Sequence, residues 1–359
     1  MKCLPSSKLP LAHGNVLHDW HAEILAIRAF NSFLVKECAN LLVDASSSTA
    51  FIRQRDEAEM SSTLFQPFAI KDDVGIHMYC SEAPCGDASM ELTMDAQDDP
   101  TPWDMPLSTN SATAAESPDT PIAGLHGRGY FSELGVVRRK PSRPDAPPTL
   151  SKSCTDKLAL KQCTSLLSSL MSLLLVPTTA YLHTLVLPAS QHVPAATERA
   201  FGPGGRMSAL SPCLTGKWEG GYKYTPFEVK STSKEFEWSR RSEAAQQKMI
   251  GCNLSAVYTP YWQETVIGGV LQGRKQFDPK GASRICRRNM WMAVADIAAV
   301  LATPALVRAT RKRRYAEVKD DGLQADRRKV IKDAKGMALK GWVENAGDGI
   351  FALDESSRV

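Results

Sequence analysis

The feature that most constrains the fold is the apolar run at 166–176 (LLSSLMSLLLV), which Pro177 interrupts. A helix needs about 20 apolar residues to cross a bilayer, so this run is too short to span a membrane. We expect it to end a buried helix, from Asp156 to about Leu174, that precedes a buried strand at Thr184–Leu187. The chain has 359 residues, of which 43% are apolar, and this is ample for one large core or two smaller ones.

Charge is unevenly distributed along the chain, although the formal net charge is only +4. Several acidic residues and no Lys or Arg lie between Glu91 and Asp119, whereas basic residues dominate from Arg274 to Lys340. A basic face beside an acidic segment is typical of proteins that bind nucleic acids. An ordinary solvated helix surface is equally compatible with the charges alone.

The cysteines and the first residues bear on the cellular compartment. There are nine cysteines, an odd number without framework spacing, which argues against a disulfide scaffold. Met1 to Leu11 contain no long apolar stretch of the kind that begins a secretory signal. We therefore expect reduced thiols, a location in the cytoplasm or nucleus, and no membrane association.

The periodicity of apolar residues predicts one mixed α/β domain over 1–353. Three segments rich in polar residues, Pro or Ser are expected to lie outside regular structure: an inserted loop at 44–63, a disordered acidic insertion at 95–121 and a loop at 189–216. The remaining predicted elements are the helices His21–Lys36, Asn289–Leu301 and Arg327–Lys340 and the strands Gly75–Cys80, Leu254–Tyr258 and Thr265–Leu271.

The triplet HAE, His21 to Glu23, is the first indication of chemistry. In zinc deaminases an imidazole holds the metal, and a carboxylate that does not bind the metal moves protons beside it. At the start of a helix, which Asp19 is expected to cap, positions i and i+2 can direct both side chains into one cavity. An H-x-E triplet is common by chance, and a partly exposed His beside a surface Glu is the ordinary explanation.

The motifs PCG, around Cys85, and SCTDK, around Cys154, each place a cysteine at the start of a predicted helix. There the helix dipole and the free N–H groups favour the thiolate that zinc requires, although each could equally be a buried structural cysteine. Zinc deaminases usually hold both cysteines in one P-C-x-x-C turn, but residue 88 is Ala, so a separate ligand is needed. Cys154 can supply it, and three protein ligands would leave one position open, as a catalytic zinc site requires.

Other chemistries are less well supported. The sequence contains no H-E-x-x-H motif, P-loop or G-x-S-x-G elbow, which argues against a zinc protease, a P-loop nucleotide hydrolase and a serine hydrolase. His18 and His21, at i and i+3, could share a metal on one helix face. Against this, Asp19 is expected to start the helix after His18.

In this order, the motifs resemble the deaminase domain shared by the eukaryotic tRNA-specific adenosine deaminases and the double-stranded-RNA editing enzymes (the A-to-I editase family). The similarity runs from Lys2 to about Leu353. The K-P-x-R-x-D-x-P-x-T block before Cys154 resembles the tRNA branch more than the editing branch. The resemblance is carried by the segments KCLPSSKL, LHDWHAEILAIRAF, MYCSEAPCGDASM, VVRRKPSRPDAPPTLSKSCTDKLAL, NLSAVYTP, QGRKQ, KGASRICRR, YAEVK and AKGMALKGWVEN.

The resemblance implies a fold and a set of roles. The fold would be a cytidine-deaminase-like three-layer α/β/α domain with a C-terminal helical extension and long disordered insertions. Zinc would be bound by His21, Cys85 and Cys154. Glu23 would carry a proton from the activated water to the purine ring and the leaving ammonia.

The resemblance also implies an inositol hexakisphosphate buried beneath the active site. Many converging cations in one core would be untenable without an enclosed polyanion. Asp19 and Lys157 would then connect the phosphate site to the metal site by hydrogen bonds. The family's phosphate-binding positions correspond here to Arg28, Ser151, Lys157, Arg287, Tyr315, Lys319, Lys335, Trp342 and Glu344.

Some positions depart from the family pattern. Trp20 stands where the family usually has Ser or Cys, and Lys152 replaces an apolar residue beside Cys154. Fewer phosphate contacts are expected, because Ile27 and Leu160 stand in place of Arg, and Asn345 stands where Lys is common.

The family also has a helix and two strands before the part that matches Lys2, and a Thr near the substrate ribose where Met1 stands. We therefore expect the chain to be N-terminally truncated, with ladder partners of the strand Gly75–Cys80 missing.

The leading hypothesis is zinc-dependent hydrolytic deamination of adenosine to inosine in tRNA, at the adenosine 3′ of the anticodon. A tRNA is the expected partner, and no obligate protein partner is expected. Two alternatives are the editing of adenosines in double-stranded RNA and a catalytically inactive, truncated RNA-binding remnant.

Overall fold

The structure is a computed structural model that describes residues 2–43, 48–96, 101, 125–127, 130–140, 147–210, 216–239, 241, 252–345 and 347–353. Its helices and its parallel and antiparallel sheets confirm the predicted mixed α/β class. Nearly all of the predicted acidic insertion at 95–121 lies outside the described residues, as do 141–146 of the K-P-x-R block. No helix among the described ranges is both long and apolar enough to cross a membrane.

The strands of the described residues are short. In chain order they are β1 Ile52–Gln54, β2 Phe68–Ile70, β3 His77–Tyr79, β4 Leu125–His126, β5 Arg138–Arg139, β6 Thr184–Pro188, β7 Glu228–Thr232, β8 Ser255–Thr259, β9 Trp262–Ile267 and β10 Val270–Leu271.

The α-helices of the described residues lie in an N-terminal and a C-terminal part of the chain. In chain order they are α1 Ala22–Leu41, α2 Met90–Asp95, α3 Cys154–Thr164, α4 Pro194–Phe201, α5 Arg287–Leu301, α6 Pro304–Thr310, α7 Tyr315–Asp320 and α8 Ala325–Met337.

The parallel sheet β3-β6-β7 supports the catalytic region. Its middle strand β6 is the predicted TLVL strand, and its Leu185 pairs in register with Met78 and Val229. Leu185 and Leu187 are fully buried against a core that includes Leu158 of α3. A strand between parallel neighbours is covered on both faces, which explains why TLVL reads as an apolar run rather than as an alternating pattern.

A second sheet, β10-β9-β8, is antiparallel and packs against α1. Along β8 the residues Ser255, Val257 and Thr259 are buried while the two between them are exposed. This period of two is expected when one face of a sheet covers a core and the other meets solvent. The core under this sheet also contains Trp20, which stands where the family usually has Ser or Cys. The larger side chain is accommodated because it packs in this core.

The predicted helix Asp156–Leu174 is too long, because α3 ends at Thr164. Ser165 has a φ of 58°, a left-handed conformation that ends the helix, and Leu166 N–H then donates to Ala180 O at 2.9 Å. The apolar run that follows forms turns with a short 3-10 helix at Met171–Leu173, and most of its leucines pack in one core with residues of α1 and α5. An apolar run can be buried on several sides without forming a helix.

Two predicted loops contain regular structure. The segment 44–63 holds β1, because Ile52 is buried opposite Ile70 of β2 although its neighbours Arg53 and Gln54 are polar. The segment 189–216 holds α4, which begins with Pro194 at its first position, where proline is favoured. Its buried face consists of small residues and one phenylalanine, so the apolar periodicity was weak.

Asn31 of α1 fixes this helix to the turn after α3. Its Nδ2 donates to Ile27 O at 2.7 Å and to Leu166 O at 3.0 Å, and its Oδ1 accepts from Ser168 N–H at 2.7 Å. The side chain is buried, so water cannot replace these partners.

We predict that Asn31→Ala destabilises the protein, because the N–H of Ser168 would be left unsatisfied at about 1–3 kcal/mol and the carbonyl of Leu166 would keep only its bond from Lys161 Nζ. Urea unfolding followed by circular dichroism measures the change. Lys36→Ala, at an exposed position of the same helix, is the control and should change the free energy of unfolding by less than about 0.5 kcal/mol. Equal stability of the two variants would contradict the assignment of Asn31.

Candidate active site

Three separate elements bring His21, Cys85 and Cys154 together. His21 directly precedes α1, Cys85 follows β3, and Cys154 is the first residue of α3. One ligand atom from each lies within 4.8 Å of the other two. The Cys85 Sγ to His21 Nδ1 distance is 3.8 Å, and Cys154 N–H donates to Cys85 Sγ at 3.4 Å. The arrangement has one imidazole and two sulfurs, which is a ligand set typical of zinc.

The turn that carries Cys85 is held against the start of α3. Thr155 N–H donates to Cys85 O at 3.1 Å, and Thr155 Oγ1 donates to Pro84 O at 2.9 Å. Gly86 has a φ of 114°, and a Cβ there would lie 2.3 Å from Ser153 Oγ. Ser153 in turn caps α3 by accepting from Asp156 N–H at 3.1 Å. Only glycine allows both cysteines to approach in this way.

The pKa values of the two cysteines and the histidine depend on one another. A hydrogen bond from Cys154 lowers the pKa of Cys85 well below its usual value, helped by the charge of Lys140. Burial and the Cys85 charge raise the pKa of Cys154. Burial alone lowers the pKa of His21, but hydrogen bonds with Cys3 and Cys85 raise it to about 10. The cluster therefore stabilises the thiolate form of Cys85.

A buried carboxylate, Asp19, lies directly behind the ligands. Its Oδ2 accepts from Lys140 Nζ at 2.8 Å, from Ser151 Oγ at 3.0 Å and from Lys157 Nζ. Its Oδ1 accepts from His21 N–H at 3.1 Å. Burial raises the pKa of Asp19, but the charges of Lys140 and Lys157 outweigh this and hold the pKa well below its usual value. Asp19 is thus ionised and orients the residue that precedes α1.

Lys140 was not singled out from the sequence, although it begins the K-P-x-R block. Its Nζ also donates to Cys154 Sγ at 3.1 Å, so one ammonium joins Asp19 to a candidate metal ligand. Cys3 was missed as well, and its thiol lies within 4.8 Å of an Asp19 oxygen and a His21 nitrogen. Local sequence spacing predicts neither contact, because Lys140 and Cys3 are each distant in sequence from the residues that they contact.

Glu23 lies on the first turn of α1 and is half-buried. Burial raises its pKa, and the nearby Cys85 charge adds to this. Glu23, His21 and Cys85 line a cleft of about 1130 Å³. A carboxyl group with a raised pKa beside a candidate metal centre has the properties of a general acid and base.

His18 does not join His21. Its Nε2 lies 2.6 Å from Asp348 Oδ2, and burial together with Arg287 lowers the pKa of His18 to about 4. The sequence alternative in which both histidines share a metal is therefore not what the structure shows.

The positions predicted to bind phosphate form a continuous cluster. Tyr315 lies between Arg287 and Lys319, with its ring 5.9 Å from the guanidinium and 5.5 Å from the ammonium. Lys335 lies 5.0 Å from the ring of Trp342 and pairs with Glu344. At the other end Lys157 donates to Ser151 at 2.7 Å, and Arg28 donates to Ile285 O at 3.0 Å while facing Arg287.

Burial and neighbouring cations lower the pKa values of several lysines in this region. Burial and the charge of Arg287 lower the pKa of Lys319. Burial and the charge of Lys157 lower the pKa of Lys152 to about 7. Burial lowers the pKa of Lys161 well below its usual value, and Arg327 and Arg28 contribute. Such a cluster is electrostatically unfavourable unless an anion compensates it.

Two departures from the family pattern meet in this cluster. Lys152 Nζ donates to Asn345 Oδ1 at 2.8 Å, and its ammonium also lies 5.2 Å from the ring of Trp342. The lysine that the family often has at 345 is therefore replaced by an ammonium that reaches Asn345 from 152. This pairing was not anticipated from the sequence, where the two positions were treated separately.

Comparison with known proteins places the chain among deaminases. The profile of the adenosine-deaminase (editase) domain family matches residues 1–346. The tRNA-specific adenosine deaminase 1 of Schizosaccharomyces pombe is 34% identical over 352 residues, which cover 97% of this chain and 81% of that protein. The tRNA-specific adenosine deaminase 1 of Saccharomyces cerevisiae is 37% identical over a region that covers 47% of this chain and 40% of that protein. The double-stranded RNA-specific editase Adar of Drosophila melanogaster is 28% identical over 53% of this chain and 26% of its own length.

We predict that Gly86→Ala reduces metal binding, because the added Cβ would displace either Cys85 or Ser153. Metal analysis of the purified protein measures this loss. Gly273→Ala is the matched control, since Gly273 also has a positive φ (78°) but has nothing within 4 Å of the added carbon. If both variants keep the metal content of the wild type, the close approach at Gly86 is not needed for the site.

Proposed function

The chain belongs to the adenosine-deaminase (editase) domain family, and from this premise we propose that it hydrolyses adenosine to inosine in tRNA, with zinc, at the adenosine 3′ of the anticodon. One observation carries the proposal: ligand atoms of His21, Cys85 and Cys154 lie within 4.8 Å of one another, and His21 and Cys85 line the same cleft as Glu23. The alternative of an inactive remnant leaves this gathering of three ligands and a carboxyl group unexplained.

The donor set fits zinc. Two sulfurs and one imidazole nitrogen match its preferred ligands, and a three-residue set is typical of catalytic rather than structural zinc. Zinc, when bound, acts as a Lewis acid that makes water nucleophilic near neutral pH. Cys154 is fully buried, whereas Cys85 and His21 line the cleft, so the open side of the set faces the cleft.

Glu23 would move the protons. Hydrolysis adds water to C6 of the purine and releases ammonia, so one proton of the water must reach the purine nitrogen and the other must reach the departing amino group. A carboxyl group whose pKa is raised by burial can accept and return each of these protons in turn. Lys140 and Asp19 do not face the cleft and would keep the ligands in place instead.

The choice of tRNA is supported by relatives. The Schizosaccharomyces pombe protein, similar over 97% of this chain, is named a tRNA-specific deaminase. Editing of double-stranded RNA is the second candidate, supported by similarity to the Drosophila editase over about half of the chain. An assay on tRNA and on duplex RNA side by side separates these two candidates.

We also propose that the cationic cluster encloses inositol hexakisphosphate. The support is the convergence of these cations, since burial and neighbouring Lys or Arg charges lower the pKa values of Lys152, Lys161 and Lys319. Arg28, Ser151, Lys157, Arg287, Tyr315, Lys319, Lys335, Trp342 and Glu344 would surround it. Through Lys157 and Asp19 the phosphate site would then be joined to Lys140 and the metal ligands.

We predict that Glu23→Gln retains zinc but loses inosine formation by about 10²–10⁴-fold, because the amide cannot accept or return the proton. Sequencing of a tRNA substrate as cDNA, in which inosine reads as guanosine, measures both yield and position. Glu57→Gln, at an exposed carboxylate, is the control. Wild-type turnover by Glu23→Gln would exclude the role, and inosine elsewhere than 3′ of the anticodon would exclude the proposed position.

We predict that the denatured protein releases about one inositol hexakisphosphate per chain, in line with the charge that the cluster must neutralise. Mass spectrometry of the acid extract detects it. Lys319→Met and Lys335→Met should reduce the amount, whereas Lys280→Met, at an exposed position, should not. Folded, active protein that releases no inositol phosphate would contradict the proposal.

A further inference from the structure

Three exposed aromatic side chains lie at the rim of the cleft that contains Glu23. Tyr79, Phe236 and Trp238 are 45%, 47% and 67% exposed, and all three line the cleft. Large aromatic rings are usually buried, and a concentration of exposed ones beside a functional cleft marks a binding surface. The proposed chemistry at Glu23 does not use any of them.

The rings are held in place by the backbone around them. Tyr79 Oη donates to Lys234 O at 3.3 Å, which joins β3 to the segment that carries the other two rings. Trp238 lies in a tight turn closed by Ser239 N–H donating to Phe236 O at 2.8 Å. These hydrogen bonds hold the three rings in place without a ligand, so less conformational entropy is lost when a ligand binds.

The carboxylates near the rings are compensated. Arg241 Nη1 donates to Glu82 Oε1 at 2.8 Å, and its Nη2 lies 3.4 Å from Glu235 Oε2. Arg241 Nη2 also donates to Ser81 O at 2.6 Å, so the same guanidinium fixes the aromatic segment to the loop before Cys85. An approaching polyanion would meet ion pairs at these two positions rather than free carboxylates.

The cleft is larger than one nucleoside requires. Its volume of about 1130 Å³ exceeds the roughly 1,000 Å³ at the upper end for pockets that hold small molecules. Bases in a single-stranded RNA loop are unstacked and can lie on aromatic side chains, whereas bases in a duplex are already stacked on one another. The rim thus fits nucleotides on either side of a target base that has entered the cleft.

We propose that Trp238 and Phe236 stack on nucleotides that flank the target adenosine in the single-stranded loop of the RNA substrate. The proposal rests on the proposed function in that it takes RNA to be the substrate of the cleft. The ligand of the three rings is a short, unpaired RNA segment, because the rings line the same cleft as Glu23 and His21.

The first test measures binding, with Glu23→Gln as background so that the RNA is not consumed. The probe is a synthetic anticodon stem-loop with adenosine 3′ of the anticodon. Trp238→Ala should weaken its binding by roughly 5- to 150-fold, the range for one base stacked on an aromatic ring. Trp238→Phe should retain most of the affinity, and Tyr258→Ala, which removes a 75%-exposed ring that does not line the cleft, should bind as the background does.

The second test locates the stacked nucleotide. Each base that flanks the target is replaced in turn by an abasic residue, and its binding is measured with and without Trp238→Ala. If Trp238 stacks on a given base, removal of that base should abolish the effect of Trp238→Ala, as a double-mutant cycle requires. The same series with Phe236→Ala identifies the partner of the second ring.

The outcomes separate this proposal from the proposed function. If Trp238→Ala binds the stem-loop as tightly as its background, or if its effect persists with every abasic substrate, the stacking proposal fails even when the wild type forms inosine. If the chain forms no inosine in tRNA but the effect of Trp238→Ala depends on one flanking base, the catalytic proposal fails and the stacking proposal holds. Circular dichroism of each variant ensures that lost binding is not lost folding.

Discussion

Asp19 is an enclosed carboxylate that accepts hydrogen bonds from Lys140, Ser151 and Lys157 and, through its other oxygen, from the N–H of His21. A buried charge of this kind is stable only when it is paired and fully hydrogen-bonded. Its partners come from the strand pair around Lys140, the turn before α3 and α3 itself. The carboxylate therefore fixes where α1 begins relative to α3, and with it the distance between His21 and Cys154.

The lysines that satisfy Asp19 create a second requirement. Lys157 belongs both to the Asp19 network and to the cationic cluster, where Lys152 and Lys319 have lowered pKa values. A bound polyanion would restore those lysines to full charge and would hold Lys157 in place from the far side. An enclosed anion and a bound metal, as proposed, would both act through the contacts of Lys157, Asp19 and Lys140, so binding of either would stabilise the geometry of the active site.

Much of this site was predictable from short motifs. HAE, PCG and SCTDK pointed to His21, Cys85 and Cys154 because zinc chemistry restricts residue types, and the structure brings the three side chains together. Cys154 begins α3 as predicted, whereas Cys85 lies in a turn ahead of α2 rather than at a helix start. That the three residues bind zinc stays a prediction. Lys140 and Cys3 were not identified, since each acts through a partner remote in sequence. The exchange at Lys152 and Asn345 also needed the structure, because the two positions are joined only after folding.

The fold shows the same division. The mixed α/β class and the buried strand β6 were predictable from composition and a run of apolar residues. The end of α3 at Ser165 and the strand β1 were not, because a left-handed residue and a three-residue strand leave almost no periodic signal. Tertiary packing determined both. Features that depend on the type of a single residue could thus be predicted from the sequence. Features that depend on contacts between residues distant in sequence could not.

We propose that one imidazole and two thiolates, held by the Asp19 network, bind a single zinc ion. Elemental analysis of the purified full chain tests it most directly, with Cys154→Ser compared against Cys163→Ser, which changes another buried cysteine of the same helix. We expect about one zinc per wild-type chain, with most of it lost from Cys154→Ser, in which one ligand of a three-residue set is removed, and retained by Cys163→Ser. Full zinc retention by Cys154→Ser, or equal loss from both variants, would contradict it.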